Sequence, residues 1–173
     1  MSAHSESRGP VSAGPIFDLI ARLVQIATGL VLVALVMLVC GEAFLRGAVN
    51  YSLGFAEELT GYFVVMLTFF GAALALRAGA LFQVDFLFDA LPASTRAKLH
   101  IAFAAIALFI CIIFVWKTAD VAMSSLERGK FAPTVLRTPL WIPQLLMPTG
   151  FAMIAIFLVE KLLLAVRKPK GAA

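Results

Sequence analysis

The chain has 173 residues, of which 62% are hydrophobic and 14% charged. Soluble domains carry about 25% charged residues, and a mean hydropathy of +0.99 excludes an ordinary water-facing globule. The net charge of +4 sits between apolar stretches, where it serves orientation and lipid head-group contact rather than nucleic-acid binding.

In chain order, residues 1–15 hold Ser, Gly, Pro, His4, Glu6 and Arg8 and read as a disordered tail. Four stretches without a charged side chain follow. They are Leu23–Gly41, Leu59–Leu76, Leu99–Trp116 and Thr138–Val159, with 19, 18, 18 and 22 residues. A helix needs about 20 apolar residues to cross roughly 30 Å of hydrocarbon. The expectation is therefore an all-α integral membrane protein with spans near 17–41, 59–77, 99–117 and 138–160, inside a single membrane domain of residues 16–166. Residues 167–173 form a basic tail. The first run exceeds the ~7–15 apolar residues of a cleavable signal and lacks a small-x-small site after it. Val39 before Cys40 argues against lipidation. Cys111 lies inside the third run, at a depth that separates it from Cys40, so both read as apolar packing residues rather than a disulfide.

Charge sets the orientation. With the N-terminus inside, the inner side holds Arg8, Arg22, Arg77, Arg96, Lys98, Lys161, Arg167, Lys168 and Lys170. The outer side holds Arg46, Lys117, Arg128, Lys130 and Arg137. Nine against five places both termini in the cytoplasm. The only Trp and Tyr residues, Tyr51, Tyr62, Trp116 and Trp141, then all fall at the outer side, with Trp116 and Trp141 as interface anchors.

The runs also exclude chemistry. Haem-bearing bundles need histidines on facing helices, and this chain has only His4 and His100. Thiol oxidation needs paired accessible cysteines. Proton coupling needs a titratable group at depth, and no run contains a carboxylate. No catalytic residue, metal ligand or cofactor site is expected. What remains is packing. Gly71, Ala75 and Gly79 form a small-xxx-small ladder along the second run, open to the alanines of the third run or to another subunit. Pro139 suits the first turn of the fourth helix. Pro143 and Pro148 distort it and free carbonyls near Gln144 and Thr149.

The most distinctive segment is Glu57–Pro92. Glu57 and Glu58 suit the first turn of the second helix, where free N–H groups favour carboxylates. They point about 100° apart, so one is free for Arg46 or for another protein. Arg77 closes that helix and Gly79 can supply a left-handed turn. Residues 81–91 are too short to span and carry Asp85 and Asp89 at i,i+4, which reads as a short interfacial helix between the second and third spans. Arg77 is the expected partner of Asp85.

This order of features resembles a family: an acidic pair before a span, Phe70-Gly71-Ala72-Ala73, Arg77-x-Gly79, Val84-Asp85 and Leu91-Pro92. It is similar to the small membrane subunit, the DctQ-like Q component, of tripartite ATP-independent periplasmic (TRAP) transporters. Glu42-x-x-x-Arg46 and Pro139-Leu-Trp141 support the likeness, which runs from about Leu23 to Leu164. Two departures stand out. Leu81 and Gln83 occupy places where many members have His and a basic or polar residue, and Ala78 stands where a glutamate often follows the arginine.

The resemblance implies a non-enzymatic accessory subunit in the bacterial inner membrane. A soluble periplasmic protein would capture an organic anion such as a carboxylate or sialic acid. A large multi-span subunit would import it with sodium, braced by this chain. Arg46, Glu57, Glu58, Gly71, Ala75, Arg77 and Asp85 are the candidate structural or partner-contact residues. The competing readings are a stand-alone membrane enzyme or assembly factor using its outer loops, and a homo-oligomeric small exporter.

Overall fold

A computed structural model describes residues 13–79, 93–134 and 136–167. Its helices are α1 (Pro15–Ala48), α2 (Ala56–Ala78), α3 (Ala93–Glu127), α4 (Trp141–Gln144) and α5 (Leu146–Arg167). The apolar runs account for their centres and the local chemistry for their ends. Four helical stretches are long and apolar enough to cross a membrane, the fourth combining α4 and α5. The in-plane helix expected at 81–91, with Asp85, lies outside the described residues.

The helices outrun the charge-free segments. The 34 residues of α1 extend about 50 Å at 1.5 Å per residue, against roughly 30 Å of hydrocarbon. Its last turns carry Glu42 and Arg46 beyond the apolar run. Asn50 then stops it with φ 56°, and the Val49 and Tyr51 N–H groups both reach back to the Leu45 carbonyl, at 3.1 and 3.2 Å. The third helix continues through Lys117 to Glu127, where the sequence placed an outer loop. Charge ends the membrane segment there without ending helical hydrogen bonding. At the far end of α2, Gly79 takes φ 72° as the left-handed C-cap, a conformation that costs glycine no Cβ clash.

The link from α3 to α4 is a tight hairpin. The Ala132 N–H donates to Thr138 O at 2.9 Å and the Leu140 N–H to Lys130 O at 3.0 Å. Phe131 and Pro139 form an isolated antiparallel bridge. Pro139 therefore stands in the hairpin, not in the first helical turn as its sequence context suggested. The helix begins at Trp141 and Pro143 occupies the tolerant first turn instead. The α4–α5 break falls at Leu145, three residues before Pro148, whose ring denies the Gln144 carbonyl its helical donor. Thr149 Oγ1 donates to Leu145 O at 2.7 Å and to Leu146 O at 3.0 Å, easing the bend.

The main packing pairs are α1 with α2, α2 with α5, and α5 with α3. The helices thus stand in a row, with the last in sequence between the second and third. Their shared core is small: Ala21 from α1, Ala73 and Leu76 from α2, Phe157 and Leu158 from α5, and Cys111 from α3. Phe157 and Ala73 are fully buried. Phe151 of α5 meets Phe69 of α2 edge-on at 4.9 Å and stacks on Phe114 of α3 at 4.9 Å. Between membrane helices hydrocarbon supplies no hydrophobic drive, so such close packing carries the association. Outside the core, Val33, Met37, Phe103 and Phe109 are exposed, the lipid-facing apolar surface of a membrane protein. Cys40 is exposed and Cys111 buried, both as free thiols.

Candidate functional site

Two polar clusters mark opposite ends of the helices. At the end where α1 begins and α5 finishes, Arg77 in the last turn of α2 forks onto Glu160 of α5. Arg77 Nε donates to Glu160 Oε2 at 2.8 Å and Arg77 Nη2 to Glu160 Oε1 at 3.1 Å. The same Nη2 also donates to Asp18 in the first turn of α1. The Ala13 N–H adds a bond to Glu160 Oε1 at 3.3 Å, and the guanidinium lies 5.8 Å from the Phe157 ring centre. Glu160 is 2% exposed, so its charge depends on these donors. A planar fork matched to a carboxylate is the strongest arrangement available to such a pair. One guanidinium therefore joins α1, α2 and α5.

Neither Asp18 nor Glu160 emerged from the sequence as an Arg77 partner. Asp85, the partner expected there, lies outside the described residues. The signal for Glu160 was present: it is the first charge after the fourth run, as Arg77 is after the second.

At the other end, Glu42 organises the turn between α1 and α2. Its Oε1 accepts from Arg46 Nη2 at 3.0 Å and from Ser52 Oγ at 2.8 Å, and its Oε2 accepts from the Leu53 N–H at 2.8 Å. Arg46 thus pairs with Glu42 rather than with the acidic pair on α2. Its side chain is 59% exposed, so solvent screens that ion pair and leaves it a weak contributor. The Ser52 and Leu53 bonds hold the turn. Glu57 is exposed beside the shallow groove that Val39, Arg46 and Thr60 line. Glu58 differs. Its Oε1 accepts from the Tyr62 hydroxyl, and Thr134, Thr138 and Leu136 of the hairpin stand close enough to bear on its charge. Its Oε2 is buried with no full hydrogen bond. Adjacent acids one helical step apart therefore do different work: Glu58 faces the hairpin while Glu57 faces outward.

The small-residue ladder is not where the helices meet most closely. Nothing lies within 4 Å of the point a Cβ on Gly71 would occupy, whereas a Cβ on Gly150 would stand 2.4 Å from Phe69 Cγ. Gly71 and Ala75 are half-buried, and the tight approach of α2 to α5 is made by the Phe69 knob on Gly150. Of the anchors, Trp116 is 70% exposed with Lys117 Nζ 5.2 Å from its ring centre, and Trp141 opens α4.

Nothing in this geometry assembles a nucleophile beside a base; both clusters fasten helix ends. Residues 35–168 match the family model for the DctQ component of tripartite ATP-independent periplasmic transporters. The chain belongs to the DctQ family. This DctQ chain is 26% identical over 153 residues to the ectoine TRAP transporter small permease protein TeaB of Halomonas elongata, covering 88% of this chain and 79% of that one. It is 24% identical over 106 residues to the isethionate TRAP transporter permease protein DctMQ of Oleidesulfovibrio alaskensis, covering 61% of this chain and 16% of that much longer one. As a DctQ component it is a transporter part, not an enzyme. All of α2, α3, α4 and α5 and residues 35–48 of α1 fall within the matched region, as do Arg77 and Glu160 but not Asp18.

Proposed function

We propose that this chain is the small, non-catalytic subunit of a sodium-driven, binding-protein-dependent importer of an organic anion such as a carboxylate or sialic acid. The family match over residues 35–168 carries the reading. Its large partner is a multi-span membrane subunit: the DctMQ relative matches this chain over only 16% of its own length, so a similar unit occurs joined to a much larger permease. A periplasmic solute-binding protein is the third member. The two relatives are named for different solutes, ectoine and isethionate, which fits a small subunit that does not read the substrate. The charge-free runs fit sodium and substrate sites on the large subunit, with no cofactor on this one. The Arg77 cluster keeps three helices in fixed relation, Gly71 and Ala75 offer an uncovered small-residue face toward the large subunit, and Arg46 and Glu57 are outward polar contacts. In liposomes the chain alone moves no solute under a sodium gradient. Uptake appears with the large subunit and binding protein, and omitting this chain abolishes it. Transport by this chain alone, or full uptake without it, refutes the reading.

The proposed site of action is the bacterial inner membrane, with both termini in the cytoplasm, supported by the nine-to-five basic asymmetry. Reporter fusions after Tyr51 and after Lys130 are then active only with a periplasmic reporter. Cytoplasmic-reporter activity at either point inverts the topology.

A further inference from the structure

One aromatic layer sets the register of three helices: Phe151 of α5 lies between Phe69 of α2 and Phe114 of α3, 4.9 Å from each. Counted outward from that layer at 1.5 Å per residue, Glu58 on α2 and Trp141 at the head of the fourth span both stand about 15 Å away. The same height on α3 falls near Ser124. A second observation agrees. The short helix α4 packs on α3, whose buried residues in these outer turns are Ala122 and Ser125. The charge-free run of α3 nevertheless stops at Trp116, about two turns short of that height. Lys117 and Asp120 therefore stand beside stretches of α2 and of the fourth span that carry no charge.

Asp120 also faces away from those neighbours. At 100° per residue, Phe109, Ile113, Trp116, Asp120 and Met123 line one flank of α3, opposite the buried Cys111, Ala122 and Ser125, and all five are exposed. Because α3 ends the row, that flank meets no other main helix among the described residues. Asp120 makes no ion pair among them, and the Lys117 ammonium lies over the Trp116 ring instead. A lysine stem is long enough to carry its charge out to the head groups; an aspartate is not. Ionisable groups at such depth face protein or a water-filled cavity rather than lipid. On this flank lipid contact ends at Lys117 while the neighbouring spans continue, so something other than lipid covers Asp120.

We propose that this flank of α3 receives a transmembrane helix of the large permease subunit, which presents a cationic or amide donor to Asp120. The inference rests on the accessory-subunit reading above. Positions recurring at alternate steps of four and three residues form a seam along which two helices interlock, and one polar residue in such a seam fixes the register of the pair. Two copies of this chain meeting there about a twofold axis would set Asp120 against Asp120, like charges in a poorly screened place. A partner of different sequence fits better.

The test uses this chain co-expressed with the large subunit and purified through a tag on this chain. A photoreactive phenylalanine analogue placed at Ile113 or Met123 crosslinks to the large subunit. Asp120→Leu lowers the large subunit recovered per chain by about ten-fold, the scale of one hydrogen bond to a charged group. Asp120→Asn keeps an acceptor and recovers more than Asp120→Leu. The melting temperature of this chain purified alone does not fall in Asp120→Leu, because the carboxylate fastens nothing within its own chain; a fall shows a structural role and overturns the proposal. Crosslinks to lipid alone or to a second copy, or equal recovery by the wild type and Asp120→Leu, overturn it while leaving the accessory-subunit reading standing. A wild-type chain that recovers no large subunit overturns both.

Discussion

Arg77→Ala and Glu160→Ala should each destabilise the folded chain by about 3–5 kcal/mol, the usual cost of stranding one member of a buried ion pair. The side chains are only 10% and 2% exposed, so solvent screening discounts the figure little. Glu160→Ala leaves a guanidinium between helices with the partly exposed Asp18 as its one remaining ion-pair partner among the described residues. Arg77→Ala leaves a buried carboxylate whose remaining identified donor is the Ala13 N–H at 3.3 Å. The double variant Arg77→Met, Glu160→Leu should be less damaged than either single, because it strands no charge. Asp18→Ala should cost below about 1 kcal/mol, since Asp18 is 54% exposed and an exposed ion pair contributes little. Unfolding in detergent followed by circular dichroism measures all four. Strictly additive losses in the cycle closed by the double variant Arg77→Ala, Glu160→Ala would reject the coupling.

Gly150→Ala should be the other costly change. A methyl group there meets Phe69 Cγ at 2.4 Å and Phe69 Cβ at 2.6 Å. The second atom is next to the backbone, so a rotamer change alone cannot clear it. Either α2 and α5 move apart or Phe151 loses its contacts with Phe69 and Phe114. Overpacking of this kind costs about 1–3 kcal/mol. Phe69→Leu combined with Gly150→Ala should recover part of the loss. Gly71→Ala should be neutral or stabilising, because space is open there and alanine gains up to about 1 kcal/mol of helix propensity. A larger melting-temperature loss at Gly71 than at Gly150 would invert this account of the interface.

That contrast shows where sequence reading succeeds and where it stops. Four spans follow from charge-free runs because a bilayer filters length and polarity, and both are printed in the chain. Helix ends are less legible. Lys117 and Glu42 end the apolar run, yet helical bonding continues past them through Glu127 and Ala48, since water tolerates a charged helix. Partners are least legible of all. The ladder through Gly71 and Ala75 identifies a smooth face but not what lies against it. Gly150, in a helix rich in bulky residues, has no ladder and receives the knob. In the sequence Arg77 is the nearest candidate partner for Asp85, eight positions on. The fork onto Glu160 joins residues 83 positions apart, and no periodicity within one helix reports which helix stands beside it. Order along the row is a tertiary fact.

That order has a temporal side. Translation delivers α1, α2 and α3 before the helix that must stand between the second and third. During synthesis Arg77 waits without Glu160, Phe69 without Gly150, and Phe114 without Phe151, so of the three main packing pairs α1 with α2 alone can form before the last helix arrives. The final helix then has to enter between α2 and α3. A ribosome stalled before Leu146 would leave a product with its guanidinium and aromatic faces bare, ready for a membrane quality-control protease. The row of helices therefore cannot close until α5 has been made.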